Sequence, residues 1–323
     1  MFDSYGRKIN YLRISVTDLC NLRCKYCMPE KGIDKMYHKE ILTLEEIEAI
    51  TESFVELGVD KVRITGGEPL VRRNILKLID GIGKMDGVKD LAMTTNGILL
   101  KNYAKDLKNA GLNRLNISLD TLNAEKYSQI TKVGKLRDVL QGIEVAKKSG
   151  LTPIKLNVVL IKGFNENEIE DFINLTRYED IEIRFIELMP IGTLRHWSSN
   201  KYISNDTVLE KVPELIEIKS VDISSPARYY KLPNAKGKVG LINPISCKFC
   251  GNCNRMRLTA DGKIKSCLHS NYEVDLKKLI REGKDIKTVI TNTIKSKPKE
   301  HELENGNYIN REMTAIGGLN YSF

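Results

Sequence analysis

The sequence predicts an α/β protein, a partial (β/α)6 TIM-type barrel whose open side is closed by a small C-terminal region. Three observations carry this. Short β-branched runs alternate with helical patterns as far as residue 190, several of the helical patterns stop at a glycine, and the unusual polar residues fall where strands end. The strand candidates are residues 11–16, 61–65, 90–95, 114–119, 154–161 and 182–188, each short and rich in the residues that strands favour. Between them, residues 44–57, 74–85, 99–110, 136–149 and 166–178 place apolar side chains at helical spacing. Gly58, Gly87, Gly111 and Gly150 follow four of these helices, where a C-terminal stop belongs. Repeated strand–helix units require parallel strands joined by right-handed crossovers.

Beyond residue 190 the pattern breaks, so residues 1–190 are expected to form the barrel and residues 191–323 a C-terminal region with an extended tail. Alternating runs at 227–232 and 239–242 predict a small antiparallel layer, and residues 275–281 and 286–296 predict two helices. The last 27 residues, from Lys297 onward, are polar and read as tail.

Of the 323 residues, 41% are hydrophobic and 29% charged, which excludes a disordered chain. No apolar stretch is long enough to span a bilayer, and the opening MFDSYGRKINYLRIS lacks the basic-then-apolar order of a secretory signal. A cytoplasmic protein with no membrane partner is expected. The charge of +9, from 51 basic and 42 acidic residues, fits a solvated surface, a nucleic acid or an anionic small substrate. Basic residues without clustered aromatics do not build a stacking surface for single strands, so nucleic acid is disfavoured and polyphosphate suits better.

Six of the seven cysteines fall in two tight runs, 20/24/27 and 247/250/253, with Cys267 following the second, as expected of metal-binding thiols in a reducing compartment. Cys20, Cys24 and Cys27 lie in TDLCNLRCKYCMP, at the end of the first strand. A closed zinc site wants four ligands and finds three here. A cubane iron–sulfur cluster held by three thiolates keeps one iron open to a small molecule. After the second strand, Gly66-Gly67-Glu68-Pro69 is either a plain turn or a surface whose main chain and carboxylate meet the amino group of an amino-acid-like cofactor. The second group, CKFCGNCNRMRLTADGKIKSCLHS, holds Cys247, Cys250, Cys253 and Cys267 and admits a zinc ribbon or a cluster using three of the four. Arg255 and Arg257 share one face of a strand-like run beside it, which suits an anionic substrate.

The first loop and GGEP resemble the radical S-adenosylmethionine superfamily. Within it the chain is similar to the family of GTP 3′,8-cyclases, the molybdenum cofactor biosynthesis A proteins. The similarity runs nearly end to end, through LRISVTDLCNLRCKYCMP, RITGGEPLVRR, MTTNG, NISLDTL, IKLNVV, EIRFIELMP, FCGNCNRMRLTADGKIKSCL and a late IGG. The resemblance implies that Cys20, Cys24 and Cys27 hold a [4Fe–4S] cluster whose open iron chelates S-adenosylmethionine. It assigns cofactor contacts to Tyr26, Gly66, Gly67, Glu68, Ser118 and Met189. Cys250, Cys253 and Cys267 would hold a second [4Fe–4S] cluster, in the C-terminal cluster-binding region, where guanine docks. Arg13, Arg63, Thr94, Lys155, Arg255, Met256 and Arg257 would surround GTP, with Arg255 and Arg257 also in the catalytic set. The implied reaction is that of a lyase: a 5′-deoxyadenosyl radical takes the C3′ hydrogen of GTP and C3′ bonds to C8, giving (8S)-3′,8-cyclo-7,8-dihydroguanosine 5′-triphosphate, the first step of molybdopterin synthesis. Implied partners are an electron donor such as flavodoxin or ferredoxin, the next enzyme of the pathway, cyclic pyranopterin monophosphate synthase, and a second copy in a homodimer.

Two departures from the family remain open in the sequence. Cys247 is a spare thiol or a fourth ligand. Gly317-Gly318 is followed by Leu319-Asn320-Tyr321-Ser322-Phe323, whereas the family ends at the glycines. Two other readings are a radical enzyme that modifies a peptide and a zinc-ribbon nucleic-acid binder.

Overall fold

Each barrel strand alternates an apolar outer face with a polar inner one, and this alternation decides what the fold can enclose. The computed structural model, which describes residues 1–28, 31–32, 36–190, 200–303, 309, 311 and 314, places the strands at β1 (Tyr11–Ser15), β2 (Lys61–Thr65), β3 (Asp90–Thr95), β4 (Arg114–Ser118), β5 (Ile154–Leu160) and β6 (Ile181–Glu187). The helices between them are α1 (Leu44–Glu56), α2 (Ile75–Gly83), α3 (Leu100–Asn109), α4 (Ala124–Thr131), α5 (Leu136–Lys148) and α6 (Ile169–Tyr178). The apolar pattern does not reveal α4, a short helix burying only Tyr127, Ile130 and Thr131. Its start is fixed by Asn123, whose side chain accepts from the amides of Glu125 and Lys126.

The C-terminal region contains the expected small antiparallel layer, residues 227–231 paired with 238–242, as an extension of the barrel sheet. It comprises α7 (Asp206–Lys211), β7 (Ile216–Ile218), β8 (Ala227–Lys231), β9 (Lys238–Ile242), β10 (Arg255–Leu258), β11 (Lys263–Lys265), β12 (Val274–Asp275), α8 (Leu276–Arg281) and α9 (Lys287–Lys295). β9 joins β6 in parallel and β10 joins β1 in parallel, so the sheet order is β12-β11-β10-β1-β2-β3-β4-β5-β6-β9-β8-β7. Eight consecutive strands are therefore parallel, and antiparallel pairing is confined to the margins. The antiparallel pairing within 227–242 was legible; the parallel pairing of its second run with β6 was not.

The eight parallel strands curl. Laid flat, their outermost members would stand roughly 34 Å apart at about 4.8 Å per strand. Instead Tyr11, Arg63, Asp90, Arg114, Lys155, Arg184, Lys238 and Arg255, one from each strand, line a single cavity. On the outer face Leu12, Ile14, Val62, Ile64, Leu115 and Ile117 belong to one core with Ile47, Ile50 and Phe54 of α1 and Leu78, Ile79 and Ile82 of α2. Each such side chain contributes about 1.5–3 kcal/mol on burial. The segment from Asn243 to Asn254 runs from β9, at one edge of the parallel block, to β10 at the other.

Asn205, just before α7, ties β6 to β9: its amide donates to the Phe185 carbonyl at 3.2 Å and the Ile242 carbonyl at 2.9 Å. Replacing Asn205 by Ala strands both buried acceptors and should cost about 1–3 kcal/mol, read as a lower urea midpoint of the metal-free protein; an unchanged midpoint contradicts this role.

Candidate active site

The cysteine loop leaves β1 and is laced to the end of β2 by main-chain bonds. Gly67 donates to Thr17 at 2.7 Å and Glu68 donates to Leu19 at 2.8 Å. A Cβ at Gly67 would lie 2.3 Å from the Leu19 oxygen, so only glycine allows this approach. Glu68 corrects an expectation. It is fully buried, and its carboxylate accepts from Thr95 Oγ1 at 2.8 Å, the Asn96 amide at 2.7 Å and the Leu70 amide at 3.1 Å. It locks the glycine turn to the end of β3 and does not present an open carboxylate. Burial pushes it up to about 7. Asn96 in turn donates to Asn21 at 2.8 Å, holding the loop beside β3.

So braced, Cys20, Cys24 and Cys27 face a cavity of about 30 Å³ together with Tyr26, Asn96, Ser118 and Asp120. The Tyr26 hydroxyl donates to Asp120, whose carboxyl is pushed up to about 6 by burial. Burial, then the neighbouring Cys27 and Cys20, raise Cys24 well above the ordinary thiol range, and burial with Glu68 raises Cys20 to about 11. Three crowded thiols, two of which oppose the ionisation of the third, are a ligand set in need of a cation. Ser118 Oγ is buried without a hydrogen-bond partner at the same cavity, as suits a polar ligand. Among the described residues no three His, Cys, Asp or Glu side chains converge on one metal ion.

Cys250 and Cys253 lie on the 3-10 turn Cys250–Asn252 and just after it, and Cys267 follows β11. The three share a cavity of about 60 Å³ with Met189, Arg255, Arg257 and Lys297. Burial alone would raise the Cys253 thiol, but Lys297, Arg255 and Arg257 more than offset it and hold it at about 7. Cys247 is exposed and lies outside that cavity.

The inner face of the sheet connects the two groups. Cross-strand register places Arg257, Arg13, Arg63, Ala92 and Arg114 in one row, and Thr94, Asn116, Lys155, Glu182 and Lys238 in another. At the strand starts the rows open into a cavity of about 330 Å³, where Lys61, Arg63, Arg114, Lys155, Arg184 and Arg255 outnumber the acidic Asp90 and Asp222. Glu182 receives Lys155 at 2.7 Å and also Arg184. Burial and then the Arg184 charge lower Lys155 to about 7, while Arg184 and Lys155 outweigh burial to hold Glu182 at about 2. Thr94 Oγ1, Asn116 Nδ2 and Asn157 Oδ1 are further buried polar atoms without partners on this face. Arg255 lines both the basic cavity and the second cysteine cavity.

The expected residues thus separate cleanly. Arg13, Arg63, Thr94, Lys155, Arg255 and Arg257 share the inner face, Tyr26 and Ser118 face the first cysteine group, and Met189 faces the second. Met256 does not join them. It is fully buried in the outer core because strand alternation turns it away from its arginine neighbours. Lys61, Arg114, Arg184, Asp120 and Lys297 were missed; parity along the predicted strands would have found Lys61, two positions before Arg63, and Arg184, opposite Asn157. Gly317-Gly318 and the five residues after them lie outside the described residues.

Residues 14–176 match the Radical SAM superfamily and residues 181–303 match Molybdenum Cofactor Synthesis C. The chain is 60% identical over 319 residues to a GTP 3′,8-cyclase of Peptoclostridium acidaminophilum, covering 98% of both chains. It is 55% identical over 321 residues to a GTP 3′,8-cyclase of Alkaliphilus oremlandii (strain OhILAs), covering 98% of this chain and 100% of that one. Among solved structures, Streptococcus suis SuiB bound to precursor peptide SuiA aligns over 90% of this chain and 67% of its own with a TM-score of 0.62. Its 15% identity supports the fold alone.

The exposure of Cys247 sets a test. After anaerobic reconstitution Cys247→Ser should keep the full iron content, about eight irons for two cubanes, and Cys253→Ser should lose about half; iron loss from Cys247→Ser would make it a ligand.

Proposed function

The chain belongs to the GTP 3′,8-cyclase family of radical S-adenosylmethionine enzymes, and we propose that its inner face is the surface on which GTP is held for cyclisation. The activity is conversion of GTP to (8S)-3′,8-cyclo-7,8-dihydroguanosine 5′-triphosphate in molybdenum cofactor biosynthesis, with S-adenosylmethionine and [4Fe–4S] clusters as cofactors. When bound, the reduced first cluster and S-adenosylmethionine would supply the radical that takes hydrogen from ribose C3′; closure of C3′ onto guanine C8 then takes one further electron, ultimately from the external reductant, and one proton to reach the 7,8-dihydro product. The observation that carries our reading is the continuous polar face between two cysteine cavities, cationic at one end and lined with partnerless buried polar atoms in the middle.

In this reading Cys20, Cys24 and Cys27 hold the first cluster. Tyr26, Gly66, Gly67 and Ser118 shape the cofactor's wall, with Tyr26 fixed by Asp120, and Met189, expected there, borders the second cysteine cavity instead. Cys250, Cys253 and Cys267 hold the second cluster, near which guanine is placed. Thr94 and Asn116 stand beside the ribose, and Arg13, Arg63, Arg255 and Arg257 take phosphate oxygens, for which guanidinium is the fitting donor. The basic cavity has the volume of a small-ligand site. Apolar Ile186, Leu188 and Met189, packed with Tyr26 and Cys27, keep water from the reacting centre. Functionally, residues 1–190 serve the cofactor and residues 191–323 the second cluster and guanine. A cytoplasmic location, a flavodoxin or ferredoxin as electron donor, product transfer to cyclic pyranopterin monophosphate synthase and a homodimer complete the proposal. Among the described residues no helix is long and apolar enough to cross a membrane.

Two measurements follow. Anaerobically reconstituted protein with dithionite and S-adenosylmethionine should form 5′-deoxyadenosine only when GTP is added; equal yields without GTP would refute the substrate. The second concerns Lys155, held at about 7 in the free protein. At pH 8 it is mostly neutral, and an adjacent triphosphate favours its charged form, so GTP binding should take up to about one proton there. Below about pH 6 the uptake should vanish, because the lysine is already charged. Calorimetry in two buffers of different ionisation enthalpy reads this directly, and Lys155→Met should abolish it.

A further inference from the structure

Lys297 is a charged side chain that the reading above leaves unused. It lies two residues beyond α9 and is 3% exposed, unusual for a lysine. Its ammonium donates to the Arg255 carbonyl at 2.9 Å and to the Ser266 carbonyl. Arg255 stands two residues after Cys253, and Ser266 immediately precedes Cys267. One ammonium therefore joins the two chain segments that carry the second cysteine group, and it lines the cavity those cysteines face. Among the described residues its acceptors are these two carbonyls, dipoles that leave its positive charge uncancelled.

The lysine is itself held in place. Arg7 donates to the carbonyls of Pro298 at 2.7 Å, Lys299 at 2.9 Å and Cys250 at 2.8 Å, and its Nε is paired with Asp3. The stretch after α9 is thus tied to the first residue of the cysteine turn.

We propose that Lys297 is the fixed cation of the second cluster site, clamping the two ligand-bearing segments and raising the reduction potential of the cluster they hold. The proposal rests on Cys250, Cys253 and Cys267 holding that cluster. Reduction adds one electron, drawn from the external reductant, to a site whose three cysteines are only partly exposed. A positive charge in the wall favours the more negative, reduced form, and net charge is among the factors that set such potentials. Lys297 is a positioning residue: it acts on the cluster through charge and through the chain it holds.

The test uses the full chain, reconstituted anaerobically, with iron and sulfide counting and a redox titration followed by electron paramagnetic resonance. The second cluster's signal is assigned in a variant with Cys20, Cys24 and Cys27 changed to Ser. Lys297→Gln keeps a hydrogen-bond donor and removes the charge; Lys297→Arg keeps the charge. Lys297→Gln should retain about eight irons and shift the second signal to lower potential. At the wild-type midpoint its reduced fraction should fall relative to the oxidised one by roughly tenfold, which is about 59 mV for one electron. Lys297→Arg should stay near the wild type, and the first signal should not move. An unchanged potential in Lys297→Gln, or an equal fall in Lys297→Arg, overturns the proposal. Should Lys297→Gln lose half its iron, retention by Lys297→Arg supports the charge and loss by both refutes it. Wild-type protein that binds only four irons sinks the cluster assignment instead, a different failure.

Discussion

Positive side chains held side by side by a backbone ladder are the constraint on which the rest of the structure depends. Arg257, Arg13 and Arg63 occupy matching positions on adjacent strands, and Arg114 stands in the same row two strands on, past Ala92. Like charges directly opposite one another destabilise a sheet. The fold tolerates them because the opposite face of the same strands is fully apolar and packed under helices. Stability therefore resides in the outer half of the barrel, and the inner half carries an electrostatic demand that an anionic ligand meets. Glu182, buried between Lys155 and Arg184, meets part of it from within the chain.

The first six strands and five of their helices were legible because their signals are local: β-branched runs, helical spacing and glycine stops. The cysteine loops were legible for the same reason, since a short spacing already forces three thiols together. What the sequence hid was long-range. Residues 239–242 were expected beside 227–232, where they do pair, and 255–258 read as a strand of no stated partner; neither reading showed that both also extend the parallel sheet at opposite edges. Glu68 looked like a ligand because nothing local reveals that Thr95 and Asn96 occupy its oxygens. Met256 was grouped with its neighbours by motif, although the parity that points Arg255 and Arg257 inward sends it outward. Lys297 lay in a stretch that reads as tail, and only the tertiary structure brings it to Cys253 and Cys267.

The two cysteine groups sit in opposite electrostatic surroundings. Glu68 and Asp120 are buried beside the first, and Lys297, Arg255 and Arg257 surround the second. Cys20 is raised to about 11 while Cys253 is lowered to about 7. Metal loading must therefore expel protons at both sites, since burial also raises Cys250, but Cys253 is held low by the cations beside it. The same chain offers iron two sites with different dependence on acidity.

The pairing of β10 with β1 also has a consequence for how the molecule is made. The first strand to leave the ribosome is completed by Ser15, but one of its edges is covered only by Arg255–Leu258. At about 5–20 residues per second, that edge stays bare for roughly 12–50 s of synthesis. An open apolar strand edge is a template for wrong pairing. A nascent chain of this kind is a client for chaperones until its last fifth emerges, and truncation before β10 leaves a product prone to aggregate.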